Sequence, residues 1–128
     1  MNNNILIVDD SEFERAIRCY QLKENFEKPN LFLASTIGKA WEILNENTID
    51  LAIIDIYLPG KNGADLINDM IYDQKLKDIP IMVITGTPKD SFVKTFYERH
   101  VSAYLHKPIE SKLLIRTINE ILNKKIAS

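Results

Sequence analysis

A single cysteine, Cys19, among 128 residues excludes an intrachain disulfide and any multi-thiolate metal centre. The expected compartment is therefore a reducing cytoplasm. An excess of basic charge is also missing: 16 Lys and Arg face 18 Asp and Glu, for a net charge of -2. Direct binding to nucleic acid or to an anionic membrane needs a concentrated basic surface, and neither partner is expected. The opening MNNNILIVDD carries no basic n-region, and its apolar run of four residues ends in two acids, so neither an ordinary signal peptide nor a membrane span is expected there. Long internal repeats, low-complexity tracts and linkers are absent as well.

What is present is the composition of a soluble globular domain, 45% hydrophobic and 27% charged. The length suits one core, so residues 1–128 are read as one domain. Short β-branched-rich runs alternate with helical patterns. Strands are expected at Ile5–Val8, Leu31–Ala34, Leu51–Ile54, Ile79–Ile84 and around Ala103–Leu105. A capping box of Ser11 and Glu14 opens the first helix, which runs to about Glu24. Ser35 or Thr36 caps the second, and Asn62 or Gly63 starts the third after the PGKNG turn. Thr87-Pro88 opens a fourth helix ending near Arg99, and a fifth starts at about Ser111. Strands apolar along most of their length, each followed by a helix, predict an α/β fold: a single (βα)5 doubly wound parallel sheet covered on both faces.

In such a sheet the carboxyl ends of the strands share one edge, where open α/β folds place their sites. The polar residues assigned to that edge are Asp9 and Asp10 after the first strand, Asp55 after the third, Thr85 after the fourth and Lys107 after the fifth. Three carboxylates in one crevice repel one another unless a cation joins them. Oxygen-only ligands suit a hard divalent ion such as Mg²⁺, which commonly binds through one or two carboxylates alongside a phosphate. The Lys107 ammonium and the Thr85 hydroxyl suit phosphoryl oxygens.

The segments ILIVDDS, Asp55 with Pro59 and Gly63, VITG and AYLHKP, in that order, resemble the receiver domain of two-component response regulators over essentially the whole chain. The resemblance implies the flavodoxin-like strand order 2-1-3-4-5 and a signalling role in which Asp55 accepts a phosphoryl group from a histidine kinase or phosphotransfer protein. It further implies Mg²⁺ held by Asp10, Asp55 and the backbone carbonyl of Tyr57, with Asp9 acting through water. Thr85 and Lys107 would contact the phosphoryl oxygens. Thr85 and Tyr104 would form the switch, altering the face of the fourth helix, fifth strand and fifth helix. That face would serve a downstream target or output domain, or a homodimer. The chain would be a phosphoacceptor assisting its own phosphorylation and dephosphorylation, not a conventional enzyme. A cis Lys107-Pro108 bond is implied too.

Duller readings compete. Asp9 and Asp10 suit a helix N-terminus, but Ser11 already supplies a cap. Thr85 is an ordinary strand-ending residue, Tyr104 a half-buried strand aromatic, and Cys19 a packing residue of the first helix. His100 and His106 lack the partners of a ligand or general base. His100-Val101 stands where many relatives have Gly-Ala, so any left-handed turn there falls to a non-glycine residue. Tyr57 and Thr87, each two residues past a site residue, would influence phosphoryl lifetime and access. Phe92, Val93, Phe96 and Tyr97 give the fourth helix two apolar rows, wider than one buried stripe needs. An aspartate-nucleophile phosphatase needs a second acid where Tyr57 stands, and a flavin module needs a phosphate loop where DDSEFE presents acids. The remaining alternative is a phosphorylation-independent docking or dimerisation module.

Overall fold

The computed structural model describes residues 3–56, 62–86 and 99–127. Its strands are β1 (Asn4–Val8), β2 (Asn30–Ala34), β3 (Leu51–Ile56), β4 (Ile81–Thr85) and β5 (Ala103–His106). All pair in parallel, in the order β2-β1-β3-β4-β5. The helices described are α1 (Glu12–Asn25), α2 (Ile37–Glu46), α3 (Asn62–Tyr72) and a C-terminal helix (Ser111–Ala127). The fourth helix expected from Thr87-Pro88, with Phe92, Val93, Phe96 and Tyr97, lies outside the described residues, apart from a helical turn end at 99–100. No helix among the described residues is long and apolar enough to cross a membrane.

Strand side chains alternate between two faces, and that period of two divides the core. Leu6, Val8, Ala52, Ile54, Ile56 and Val83 pack with α2 and α3. Ile5, Ile7, Leu51, Ile53, Met82 and Ile84 pack with Leu22 of α1 and with Leu114, Ile118 and Leu122 of the C-terminal helix. Each of the Leu, Ile, Val and Met side chains among these, fully buried, contributes about 1.5–3 kcal/mol of transfer free energy, which holds the central strands and fixes their register.

Three local details depart from the sequence reading. β4 begins at Ile81, because the Ile79 N–H turns back to the Leu76 carbonyl at 3.0 Å and Pro80 has no N–H to give. β3 runs on to Ile56, so Asp55 sits inside the strand, in register with Ile84, rather than beyond its tip. The capping box is only half formed. The Ser11 hydroxyl accepts from the Glu14 N–H at 3.2 Å, but the Ser11 N–H donates to Asp9 Oδ1 at 2.9 Å, displacing the Glu14 carboxylate from that role. Thr36 is the cap of α2, its hydroxyl accepting from the Lys39 N–H at 3.1 Å. Among the described non-glycine residues the left-handed backbone occurs at Lys28, φ 46°, and not at His100 or Val101.

Candidate functional site

The period of two that sorts the core also builds the site. Asp9 continues the row of Ile5 and Ile7, Asp55 that of Leu51 and Ile53, and Lys107 that of Ala103 and Leu105. All three rows face α1 and the C-terminal helix, so their polar continuations meet at one corner of the sheet edge. Carboxylate oxygens of Asp9, Asp10 and Asp55 lie within 4.8 Å of one another, with Asp9 buried, Asp55 half-buried and Asp10 exposed. Lys107 Nζ donates to Asp55 Oδ2 at 3.2 Å and stands 3.9 Å from Asp9 Oδ2.

The backbone positions these groups. The Asp9 N–H donates to the Ala34 carbonyl at 3.0 Å, and the Lys107 N–H donates to the Thr85 carbonyl at 2.8 Å, extending the ladders past the strand ends. Arg15 Nη1 donates to the Asp9 carbonyl at 2.7 Å. The Lys107-Pro108 bond is cis. Gly63, at the start of α3, is pressed against β3: a Cβ there would stand 2.5 Å from the Asp55 carbonyl oxygen and 2.5 Å from Ile56 Cγ2. Only glycine permits this approach of helix to strand beside Asp55.

Asp55 is electrostatically strained. Burial, and then the neighbouring Asp9 charge, raise its pKa from 3.8 to about 6 against the opposing pull of Lys107. Its second oxygen, Oδ1, is buried with no hydrogen-bond partner. A carboxylate with one oxygen held by an ammonium and the other left with unmet lone pairs, next to two more carboxylates, fits a hard divalent cation, which would relieve the repulsion and satisfy Oδ1 together.

The structure thus brings Asp9, Asp10, Asp55 and Lys107 into one cluster. Thr85, fully buried, ends β4 in register with Ile56 and His106 and continues the Val83 row, toward the α2 and α3 side. Tyr104 is half-buried on that same side, its ring edge-on to His106 with centroids 5.7 Å apart. Tyr57, assigned a metal-binding carbonyl by resemblance, lies outside the described residues, as do Pro59 and Thr87. Sequence reasoning missed Glu14 and Arg18. Glu14 Oε1 stands 3.6 Å from Lys107 Nζ, while its Oε2 pairs with Arg18 Nη2 at 3.2 Å. The usable signal was the spacing of Glu14 and Arg18, an i,i+4 pair on the turn of α1 nearest the acidic pair.

Protein PilH of Pseudomonas aeruginosa is 30% identical over 120 residues, covering 92% of this chain and 96% of that protein. The phosphate regulon transcriptional regulatory protein PhoB of Escherichia coli is 27% identical over 124 residues, 97% of this chain but 53% of PhoB, so the chain spans about half of that relative. Among solved structures, a CheY-like response regulator receiver domain protein from Methanospirillum hungatei superposes with a TM-score of 0.85 at 23% identity, covering 99% of this chain and 98% of that one. A signal receiver domain of a two-component histidine kinase from Clostridium thermocellum gives a TM-score of 0.80 at 21% identity, covering 94% and 97%. The sequence profile of the response regulator receiver domain matches residues 5–119, from within β1 to within the C-terminal helix. A match of that extent, on a fold with this strand order, makes the chain a member of the response regulator receiver domain family of two-component signalling.

Proposed function

We propose that this receiver domain is a phosphorylation-dependent switch in which Asp55 is the phosphoacceptor. The donor would be a phosphohistidine of a histidine kinase or phosphotransfer protein. The N–P bond breaks as a P–O bond forms to the Asp55 carboxylate, and the imidazole leaves neutral. The observation that carries the reading is the state of Asp55 itself, with Oδ2 held by Lys107, Oδ1 buried and unpaired, and the whole group among like charges.

Mg²⁺, held by Asp10, Asp55 and the Tyr57 carbonyl with Asp9 through water, would supply positive charge for the phosphoryl oxygens. Lys107 supplies a second, protein-borne charge, and Thr85 a hydroxyl donor. These contributions are positioning and charge stabilisation, which is most of what phosphoryl transfer asks of a protein. They make the domain an assistant in its own modification rather than a conventional enzyme. The added phosphoryl carries about -1.5 to -2 charges. Drawing Thr85 toward it would open room for Tyr104 to turn inward, changing the face of the fourth helix, β5 and the C-terminal helix. A downstream target, an output domain or a second copy would read that face.

Incubation with acetyl phosphate and Mg²⁺ followed by intact mass tests the reading. An adduct of about 80 Da, absent in Asp55→Asn, is the expected result. A wild-type chain that stays unmodified would instead favour a docking module that works without phosphorylation.

A further inference from the structure

With the Ser11 N–H taken by Asp9, the Glu14 carboxylate is released from the helix cap and lies between two cations. Arg18, only 6% exposed, grips Oε2 at 3.2 Å and is itself fixed by donating from Nη1 to Gln21 Oε1 at 3.0 Å. Gln21 in turn donates to the Ser111 hydroxyl at 3.2 Å, which fastens this turn of α1 to the start of the C-terminal helix. The other Glu14 oxygen, Oε1, is presented to Lys107 at 3.6 Å across an open cleft of about 380 Å³.

Three carboxylates therefore surround the Lys107 ammonium, at 3.2 Å from Asp55, 3.6 Å from Glu14 and 3.9 Å from Asp9. Two of them belong to the acidic cluster, whereas Glu14 comes from α1 and lies outside it. We propose that Glu14 is a positioning residue that competes with the phosphoryl oxygens for Lys107, and so sets how tightly the site holds a phosphoryl group. The proposal rests on Asp55 being the phosphoacceptor. An ammonium has three donors and one location. A phosphoryl group arriving on Asp55 must draw those donors away from Glu14, and it meets the Glu14 carboxylate as a like charge. Because Arg18 fixes Glu14, the carboxylate cannot swing off into solvent at little cost, so the competition persists.

The test is a titration with beryllofluoride, a phosphoryl mimic, in saturating Mg²⁺, followed by amide NMR on the full chain as wild type, Glu14→Gln and Glu14→Asp. Glu14→Gln keeps an acceptor for Arg18 while removing the charge. Glu14→Asp keeps the charge but is one methylene too short to reach Lys107. Both variants are expected to bind about two- to fivefold more tightly than wild type, the scale of a partly exposed ion pair. Structural damage would weaken binding instead, and thermal melts establish that each variant is folded. If Glu14→Gln fails to fold, Glu14→Asp alone decides. Unchanged or weaker binding in the folded variants overturns the proposal. So does a Glu14→Asp chain that behaves as wild type, since general charge would then be acting rather than contact with Lys107. A wild-type chain that neither binds beryllofluoride nor takes up phosphate sinks the phosphoacceptor reading itself, a different failure from either of these.

Discussion

Replacing Asp55 with Asn should stabilise the fold, and the size of the gain follows from the site. The carboxyl is held at a pKa of about 6 against an ordinary 3.8, with burial the leading cause and the Asp9 charge the next. Between those values the folded chain binds more protons than the unfolded one, so unfolding free energy falls as pH rises through the window, and the loss is complete above about pH 6. At about 1.4 kcal/mol per pKa unit the ceiling is about 3 kcal/mol. Exposed Asp10 marks an open side of the cluster, and screening there reduces the figure to about 1–2 kcal/mol. Asparagine has nearly the same shape, keeps an oxygen to accept from Lys107, and carries no charge to desolvate. Urea unfolding of both chains in EDTA, followed by circular dichroism, should show Asp55→Asn more stable by that amount at pH 7.5. Near pH 3 the difference should vanish, because the wild-type carboxyl is then largely neutral in both the folded and the unfolded chain. Comparing the two chains at each pH cancels the titration of groups remote from Asp55. A variant less stable than wild type at pH 7.5, or a gap that does not change with pH, would refute the electrostatic account of Asp55.

Mg²⁺ should stabilise the wild-type chain at pH 7.5, by about 1.4 kcal/mol when its concentration is ten times the dissociation constant. Thermal melts would show this as a rise in Tm that Asp10→Asn largely removes. Gly63→Ala should cost about 2–4 kcal/mol, an overpacking penalty at the top of the usual range. The reason is that the new Cβ meets the Asp55 carbonyl and Ile56 at 2.5 Å, and a backbone carbonyl cannot rotate aside. Urea midpoints give the cost, and a neutral result would mean that α3 can slide off β3. Lys107→Ala should leave the fold intact but slow phosphoryl uptake from acetyl phosphate about 100-fold, the scale of losing one preorganised charge donor. Intact mass against time measures it.

The acidic cluster was legible in the sequence because it depends on quantities that periodicity alone controls. A parallel sheet puts strand ends on one edge, and a period of two decides which face each residue continues. Asp9, Asp55 and Lys107 each lie two residues past an apolar side chain of the same core row, Ile7, Ile53 and Leu105. Once the strands are found, their meeting follows. Thr85 was legible as a strand-end residue, and the same period puts it on the other row, with Val83; the sequence reading started β4 two residues early, a full period that leaves this row unchanged.

Glu14 was hidden for a different reason. In the sequence it completes a capping box, a local pattern that accounts for an acid three residues after a serine without reference to anything distant. What reassigns it is a competition among hydrogen bonds. Asp9, its backbone fixed by the ladder to Ala34, holds the Ser11 N–H, and the displaced carboxylate pairs instead with Arg18 one turn along the helix and with Lys107, which follows the edge strand β5. The last contact joins residues 93 positions apart, at 14 and 107, and no local pattern encodes it. A receiver domain with another side chain at position 14 would keep the same fold and the same acidic pocket, yet its lysine would have one fewer place to rest. If Glu14 competes for Lys107 as proposed, differences in phosphoryl retention between otherwise similar sites would arise from residues of the first helix that lie outside the acidic cluster.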